Sequence, residues 1–267
     1  SPPRPLLIFT PTDSGFFPVL IFLHGFLLYN SFYSQLLHHV ASHGFIVVAP
    51  QLYSLAGPDA TQEVRLTAEI TEWMSSNQQL LSLYLPPGVK PDMARLALSG
   101  HSRGGKVAFA LALSSLSSSC PKFSAIIGVD PVDGMDKGSQ TSPPVLTYIP
   151  KSFQLNGTAV MIIGTGLGEE RRNPLFPACA PRGVNHEDFY KECRKPSYYF
   201  VGKDYGHMDV LDDETNGIRG KASYCLCKNG ESRGPMRRFV GGVLVAFLKA
   251  YLRSDGDDDE LVGIRQG

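Results

Sequence analysis

The sequence predicts an α/β domain in which a mostly parallel sheet is covered by helices. Two observations carry that expectation. Short apolar runs rich in branched residues alternate with helical patterns from one end of the chain to the other, the pattern of strand–helix–strand units. In addition, the apolar run Arg95-Leu96-Ala97-Leu98-Ser99 leads through Gly100-His101-Ser102-Arg103-Gly104-Gly105 straight into the helical pattern Lys106–Leu113. A strand, a serine pressed between glycines and a helix are the context that a nucleophilic serine on a sharp strand-to-helix turn requires. Such a turn is cramped, so a β-carbon on either side of the serine would strike neighbouring backbone. The Arg103 amide falls at the helix N-terminus, where it can stabilise an oxyanion.

Taken in order, Leu6–Phe9 is a candidate edge strand. Pro18–Leu23 (Pro-Val-Leu-Ile-Phe-Leu) reads as a strand buried on both faces, because its apolar character does not alternate; it ends in His24-Gly25-Phe26. Ser31–His43 reads as a helix with Phe32, Leu36, Leu37 and Val40 close to one face. Phe45–Ala49 is the next strand, stopped by Pro50, and Thr61–Leu83 carries a long helical pattern with Val64, Ala68 and Trp73 among its apolar positions. After the Ser102 strand and helix come strands at Ser124–Val129 (ending at Asp130), Thr158–Gly164 and Ser197–Val201. Phe239–Leu252 is a closing helix, and Ser254–Glu260 an acidic tail of the kind that frays into solvent. Three long irregular insertions, 51–61, 131–157 and 165–196, interrupt these elements. Loops beyond about 12–15 residues in a compact domain are usually functional, so at least one is expected to act as a lid. Neither a repeat nor a linker divides the chain, which reads as one domain over residues 1–267.

Composition narrows the class. Apolar residues make up 43% and charged residues 19% of the chain, with no net charge. That describes a globular protein with an ample core and gives no reason to expect nucleic acid as a partner. The longest apolar run, Phe16–Leu28, is broken by Pro18, His24 and Gly25 and falls short of the roughly 18–20 residues that span a bilayer. No targeting segment is legible, and the opening Ser1-Pro2-Pro3-Arg4-Pro5 reads like a trimmed start, so a leader would lie outside the sequence. The five cysteines, Cys120, Cys179, Cys193, Cys225 and Cys227, are odd in number and scattered. They do not resemble a disulfide framework, which makes a mostly reduced protein the default expectation. Cys225-Leu226-Cys227 is too sparse for a zinc site, and no metal or other cofactor is expected. Asn156-Gly157-Thr158 is a formal glycosylation triplet and carries little weight.

A serine nucleophile needs a base and an acid, which in this architecture follow it in the order acid, then histidine, at the ends of later strands. His24 and His101 are misplaced for the base, and His38, His39 and His43 precede the serine on or near a helix. His186 lies inside an insertion, whereas His207, in Lys-Asp-Tyr-Gly-His-Met-Asp, follows the last strand at loop distance and is favoured. For the acid, spacing leaves Asp130, Asp133, Glu169 and Glu170 all open. The second oxyanion donor should come from the loop after the His24 strand, with the Phe26 amide the first choice and Leu27 the second. Phe26, Leu27, Leu28, Tyr29 and Phe32 crowd that loop with apolar bulk and suggest a lipophilic substrate pocket.

Several longer stretches resemble one family. They are Phe-Leu-His-Gly-Phe and Tyr-Asn-Ser-Phe-Tyr-Ser within 22–34, Ala-Ser-His-Gly-Phe at 41–45, Gly-His-Ser-Arg-Gly-Gly at 100–105 and Val-Asp-Pro-Val-Asp-Gly at 129–134. Asn-Pro-Leu-Phe-Pro at 173–177 and Lys-Asp-Tyr-Gly-His-Met-Asp at 203–209 complete the set. In these the chain is similar to the chlorophyllases, plant esterases of the α/β-hydrolase superfamily. The resemblance implies an α/β-hydrolase fold with lid-like insertions and a triad of Ser102, Asp130 and His207. It also implies hydrolysis of the phytyl ester of chlorophyll, or of a related pigment such as pheophytin, to chlorophyllide and phytol without a cofactor. Residence in the chloroplast follows from that substrate, with an endomembrane or vacuolar location also compatible. Peripheral contact with a membrane is plausible for so lipophilic a substrate, although no basic amphipathic helix is legible to argue for it. The rival readings are another lipophilic-ester hydrolase on the same scaffold, such as a lipase or phospholipid acyl hydrolase, and a non-catalytic binder of a hydrophobic ligand.

Overall fold

A computed structural model describes residues 1–114 and 121–252. Seven strands form one sheet in the order β1-β3-β2-β4-β5-β6-β7. They are β1 (Leu6–Phe9), β2 (Gly15–Leu23), β3 (Ile46–Pro50), β4 (Val89–His101), β5 (Ala125–Val129), β6 (Ala159–Thr165) and β7 (Ser197–Gly202). Only β1, on the edge, runs antiparallel to its neighbour; every other pair is parallel. This is the mostly parallel, helix-flanked sheet expected of an α/β-hydrolase.

The helices are α1 (Ser34–Ala41), α2 (Thr61–Ser76), α3 (Gln78–Ser82), α4 (Arg103–Leu113), α5 (His186–Glu192), α6 (Gly217–Cys225) and α7 (Arg233–Leu252). Strand β2 shows why its sequence does not alternate. Val19, Ile21 and Leu23 point into a core layer shared with α2 and α4, and Leu20 and Phe22 into one shared with α1 and α7. With both faces covered, each residue is removed from water, at roughly 1.5–3 kcal/mol per large aliphatic side chain.

Several boundaries differ from the sequence expectation. The helix expected at 31–43 begins as a tight 3₁₀ turn, Asn30–Tyr33, before α1. The pattern over 61–83 breaks at Asn77, whose φ of −126° and ψ of 43° leave the helical region, so it folds as α2 and α3. Strand β4 begins at Val89, well before Arg95, and α7 begins at Arg233, where Pro235 in the first turn costs no hydrogen bond. The insertion at 165–196 contains α5, and a further helix, α6, lies beyond it. The acidic tail at 254–260 and Cys120 lie outside the described residues.

The insertion at 131–157 is tied down from beneath. Lys106, fully buried on α4, reaches Asp133 at 2.9 Å and also donates to the Thr141 hydroxyl at 2.6 Å. The second carboxylate oxygen of Asp133 accepts the Val145 and Leu146 amides, each at 2.9 Å. This partnering is what permits a charged pair in the core, since each charge keeps hydrogen-bonding partners out of water.

Candidate active site

Ser102 sits between β4 and α4 with φ 56° and ψ −122°, a conformation that costs about 1–3 kcal/mol for a residue bearing a β-carbon. Its glycine neighbours make the turn possible. A β-carbon on Gly100 would lie 2.3 Å from the Gly104 carbonyl carbon, and one on Gly104 would lie 2.3 Å from the Leu23 carbonyl oxygen. The Ser102 amide donates to the Val129 carbonyl at 2.9 Å, which ties the turn to the end of β5, one residue before Asp130.

His207 lies in the loop after β7. Its Nε2 is 2.8 Å from Ser102 Oγ, and its Nδ1 is 2.6 Å from Asp130 Oδ2. Asp130 is wholly buried; the Thr165 amide and hydroxyl donate to its two oxygens at 3.1 and 2.6 Å. Burial by itself would raise the Asp130 pKa. The hydrogen bond and charge of His207, aided by His186 and Thr165, outweigh burial and hold the carboxyl below its usual range. An ionised carboxylate only accepts, so the proton of neutral His207 resides on Nδ1 and leaves Nε2 bare toward the Ser102 hydroxyl. That tautomer can take a proton from serine.

The other candidate acids lie elsewhere. Asp133 is committed to Lys106, Glu169 pairs with exposed Arg182 at 2.8 Å, and Glu170 is exposed. His186 is not at the serine; its Nε2 is 3.9 Å from the other oxygen of Asp130, and its Nδ1 is 2.7 Å from the Tyr199 hydroxyl. Spacing gave no sign of Thr165 as an Asp130 partner. Its place follows from the register of β5 on β6, where Val129 pairs with Ile163 and so sets Asp130 against the end of β6.

The loop after β2 closes the other side. Leu27 has a φ of 56°, and the Leu28 amide turns back onto the Gly25 carbonyl at 3.1 Å. Among the described residues, the amides of Phe26 and Arg103 donate to no other group, whereas the Leu27 amide meets the Tyr53 hydroxyl. The Arg103 side chain bonds the Gly57 and Asp59 carbonyls, each at 2.6 Å, meets Glu63 at 2.5 Å, and lies 4.9 Å over the Phe26 ring. It thereby draws the insertion at 51–61 and the Phe26 loop together over the serine.

Ser102 and His207 face a cavity of about 450 Å³. Its walls include Phe26, Leu27 and Leu28 from the expected loop, Met135 and Phe176 from two insertions, and Met208, Ala222 and Leu226 from beyond β7. Tyr29 and Phe32 stand outside this lining. Tyr29 packs on Phe32 at 5.3 Å and under Arg219 at 4.8 Å, while Phe32 is buried in the core near α1. The cavity wall also corrects the cysteine reading: Cys179 and Cys227, both in the lining, are joined by a disulfide. They are 48 residues apart in sequence and are brought together where Arg171 bridges Cys227 in antiparallel fashion, a path that spacing cannot show. Cys193 and Cys225 remain free. Among the described residues no group of three or more His, Cys, Asp or Glu side chains is placed to hold a metal ion, and no helix is long and apolar enough to cross a membrane.

Comparison with known proteins identifies the family. The family model described as Chlorophyllase matches residues 1–267. Chlorophyllase-2 of Arabidopsis thaliana is 62% identical, over 100% of this chain and 83% of its own length. Chlorophyllase-1 of the same plant is 47% identical over 98% and 80%. The Citrus unshiu protein named Chlorophyllase-1, chloroplastic is 46% identical over 96% and 75%. The chain therefore belongs to the chlorophyllase family.

Proposed function

We propose that this protein is a serine esterase that hydrolyses the phytyl ester of chlorophyll to chlorophyllide and phytol. The observation that carries the reading is the unbroken line of hydrogen bonds from Asp130 through His207 to Ser102 Oγ, ending at the wall of a largely apolar cavity in a chain with this family membership. A flat macrocycle and a 20-carbon isoprenoid tail both call for apolar walls.

In the proposed mechanism Ser102 Oγ attacks the ester carbonyl carbon while its proton passes to His207 Nε2. The carbonyl oxygen takes up the negative charge and is held by the Arg103 amide and by that of Phe26 or Leu27. The Arg103 and Phe26 amides have no competing acceptor, whereas the Leu27 amide would exchange the Tyr53 hydroxyl for the oxyanion. Asp130 stays ionised and stabilises the imidazolium. His207 then protonates the phytyl oxygen as the carbon–oxygen bond breaks. Water attacks the acyl-enzyme, its proton goes to His207, and Ser102 is regenerated as chlorophyllide leaves.

The rim of the cavity supports peripheral contact with a lipid surface. Leu175 and Ile218 are 88% and 89% exposed, and the residues that follow them in sequence, Phe176 and Arg219, line the cavity. Segments 171–176 and 217–228 contain Arg171, Arg172, Arg219, Lys221 and Lys228 and no acidic residue. The Arg172 side chain joins the two segments by donating to the Tyr224 carbonyl. Location in the chloroplast fits both this substrate and the name of the Citrus relative.

The test is hydrolysis of purified chlorophyll a by wild type and Ser102→Ala, with chlorophyllide followed by phase partition. Chlorophyllide from wild type and a loss of at least about 10³-fold in the variant are expected. Cleavage of a short acyl ester with chlorophyll left intact would retain the esterase and reject the pigment. Folded wild type inert toward both would favour a carrier of hydrophobic ligands.

A further inference from the structure

His101, the residue just before Ser102, takes no part in the proton transfers above, yet its ring is wholly buried against the base. The His101 and His207 ring centroids are 4.6 Å apart. His101 Nε2 is 2.9 Å from the His207 carbonyl oxygen, and Nδ1 is 2.8 Å from the Tyr33 hydroxyl. The Tyr33 oxygen also receives the Gly25 amide at 3.0 Å.

The chemistry of these groups fixes every proton. A carbonyl can only accept, so His101 Nε2 carries hydrogen. Burial, with the neighbouring His207 next in size, lowers the His101 pKa to about 3, so the ring is neutral and Nδ1 is bare. Tyr33 therefore donates to Nδ1 and accepts from Gly25. The result is a directed line from the Gly25 amide to Tyr33, to His101, to the backbone of His207. One end is the loop that presents Phe26 and Leu27, and the other is the loop that presents the base. Tyr33 is fully buried with its ring 5.0 Å from Phe22 of β2, so the line is anchored to the sheet in its middle.

We propose that Tyr33 and His101 are positioning residues that lock the oxyanion loop to the His207 loop, so that the oxyanion donor and the base keep a fixed separation while charge develops. Neither touches the reacting atoms. Because His101 keeps one tautomer and no charge, it also provides a neutral wall against which the His207 imidazolium can form. The proposal rests on the triad reading, and the experiment separates the two because all three variants retain Ser102, Asp130 and His207.

The test compares Tyr33→Phe and His101→Leu with His101→Gln, whose amide nitrogen can still reach the His207 carbonyl. Active sites are counted by titration with a p-nitrophenyl phosphonate, and kinetics are followed on chlorophyll a and on a p-nitrophenyl short-chain ester. The expected result is a 10- to 100-fold lower kcat per titrated site with KM little changed, by the same factor on both substrates, and partial recovery in His101→Gln. A purely structural role would lower the melting temperature or the number of titrated sites and leave kcat per site unchanged; that result overturns the proposal. So does a loss confined to one substrate. Should the variants not fold, ¹⁵N NMR of wild-type histidines decides. A His101 ring, assigned by its contacts to Tyr33 and His207, that holds the Nε2–H tautomer without titrating down to about pH 4 supports the line, and an Nδ1–H tautomer or a pKa near 6.5 for that ring overturns it.

Discussion

At the scale of single residues, the orientation of His207 depends on how firmly Asp130 is held, and Thr165 supplies two of the hydrogen bonds that hold it. Thr165→Val keeps the shape and the amide donor but removes the hydroxyl. A hydrogen bond to a charged group is worth about 1.5–3 kcal/mol, and part of that is expected to appear as a tenfold or greater fall in kcat, with KM unchanged. The Asp130 pKa should rise, since one of the groups that hold it down is gone, and the loss of kcat that accompanies its protonation should set in at higher pH. Glu170→Gln, on an exposed side chain, is the control, and an equal fall there would remove Thr165 from the account. What was legible at this scale followed locality. Ser102 and the Phe26 loop stand in motifs that state their own geometry, and His207 follows from chain order. Asp130 was one of four acids by spacing and was chosen by resemblance. Thr165, Tyr33 and His101 meet their partners only across strands, so no local pattern reveals them. Tyr29 and Phe32 share the apolar character of the residues that line the cavity, and only the path of the 3₁₀ turn separates them.

At the scale of elements, the long buried strands and α4 were readable because burial on both sheet faces, or a glycine-ringed turn, leaves a strong signature. The short helices were not. α5 spans 7 residues and α6 spans 9, too short for a periodic pattern to rise above chance. The one local sign was Asn185, whose side chain accepts the Glu187 amide at 3.1 Å as an N-cap. Missing α6 also hid the basic, apolar rim for which the linear sequence offered no helix. That rim makes a prediction. The protein should float with vesicles containing anionic phospholipid and much less with zwitterionic ones, and added salt should release it, because each Lys or Arg near such a surface contributes about 1 kcal/mol that screening removes. Leu175→Ser with Ile218→Ser should reduce flotation while leaving hydrolysis of a soluble ester unchanged. Equal flotation on both lipids at all salt concentrations would count against charge as the attraction.

At the scale of the whole molecule, two histidines at the ends of adjacent strands are buried neutral and set a limit on acid stability. His24 donates from Nδ1 to the Gly25 carbonyl and accepts the Leu52 amide on Nε2, so its tautomer is opposite to that of His101. Burial lowers the pKa of His24 to about 4 and that of His101 to about 3. A histidine depressed in the folded state binds more protons when unfolded, so stability present above about pH 6.5 is lost as pH falls from there toward 3–4. At about 1.4 kcal/mol per unit, the two together should remove about 3–4 kcal/mol between pH 7 and pH 5. Asp130, depressed by its partners, adds a loss only below the ordinary carboxylate range, whereas Glu63 and Asp212, raised by burial, oppose the trend as they take up protons. Urea unfolding at pH 7, 6 and 5 measures the sum. The midpoint should fall steadily over that interval with an unchanged slope against urea, and the fall should be shallower in His24→Gln. A fall of only about half that size would mean that one of the rings is charged in the folded protein, and a midpoint that stays level from pH 7 to 5 would mean that both are. For His101 that would also break the hydrogen-bond line that joins the oxyanion loop to the base.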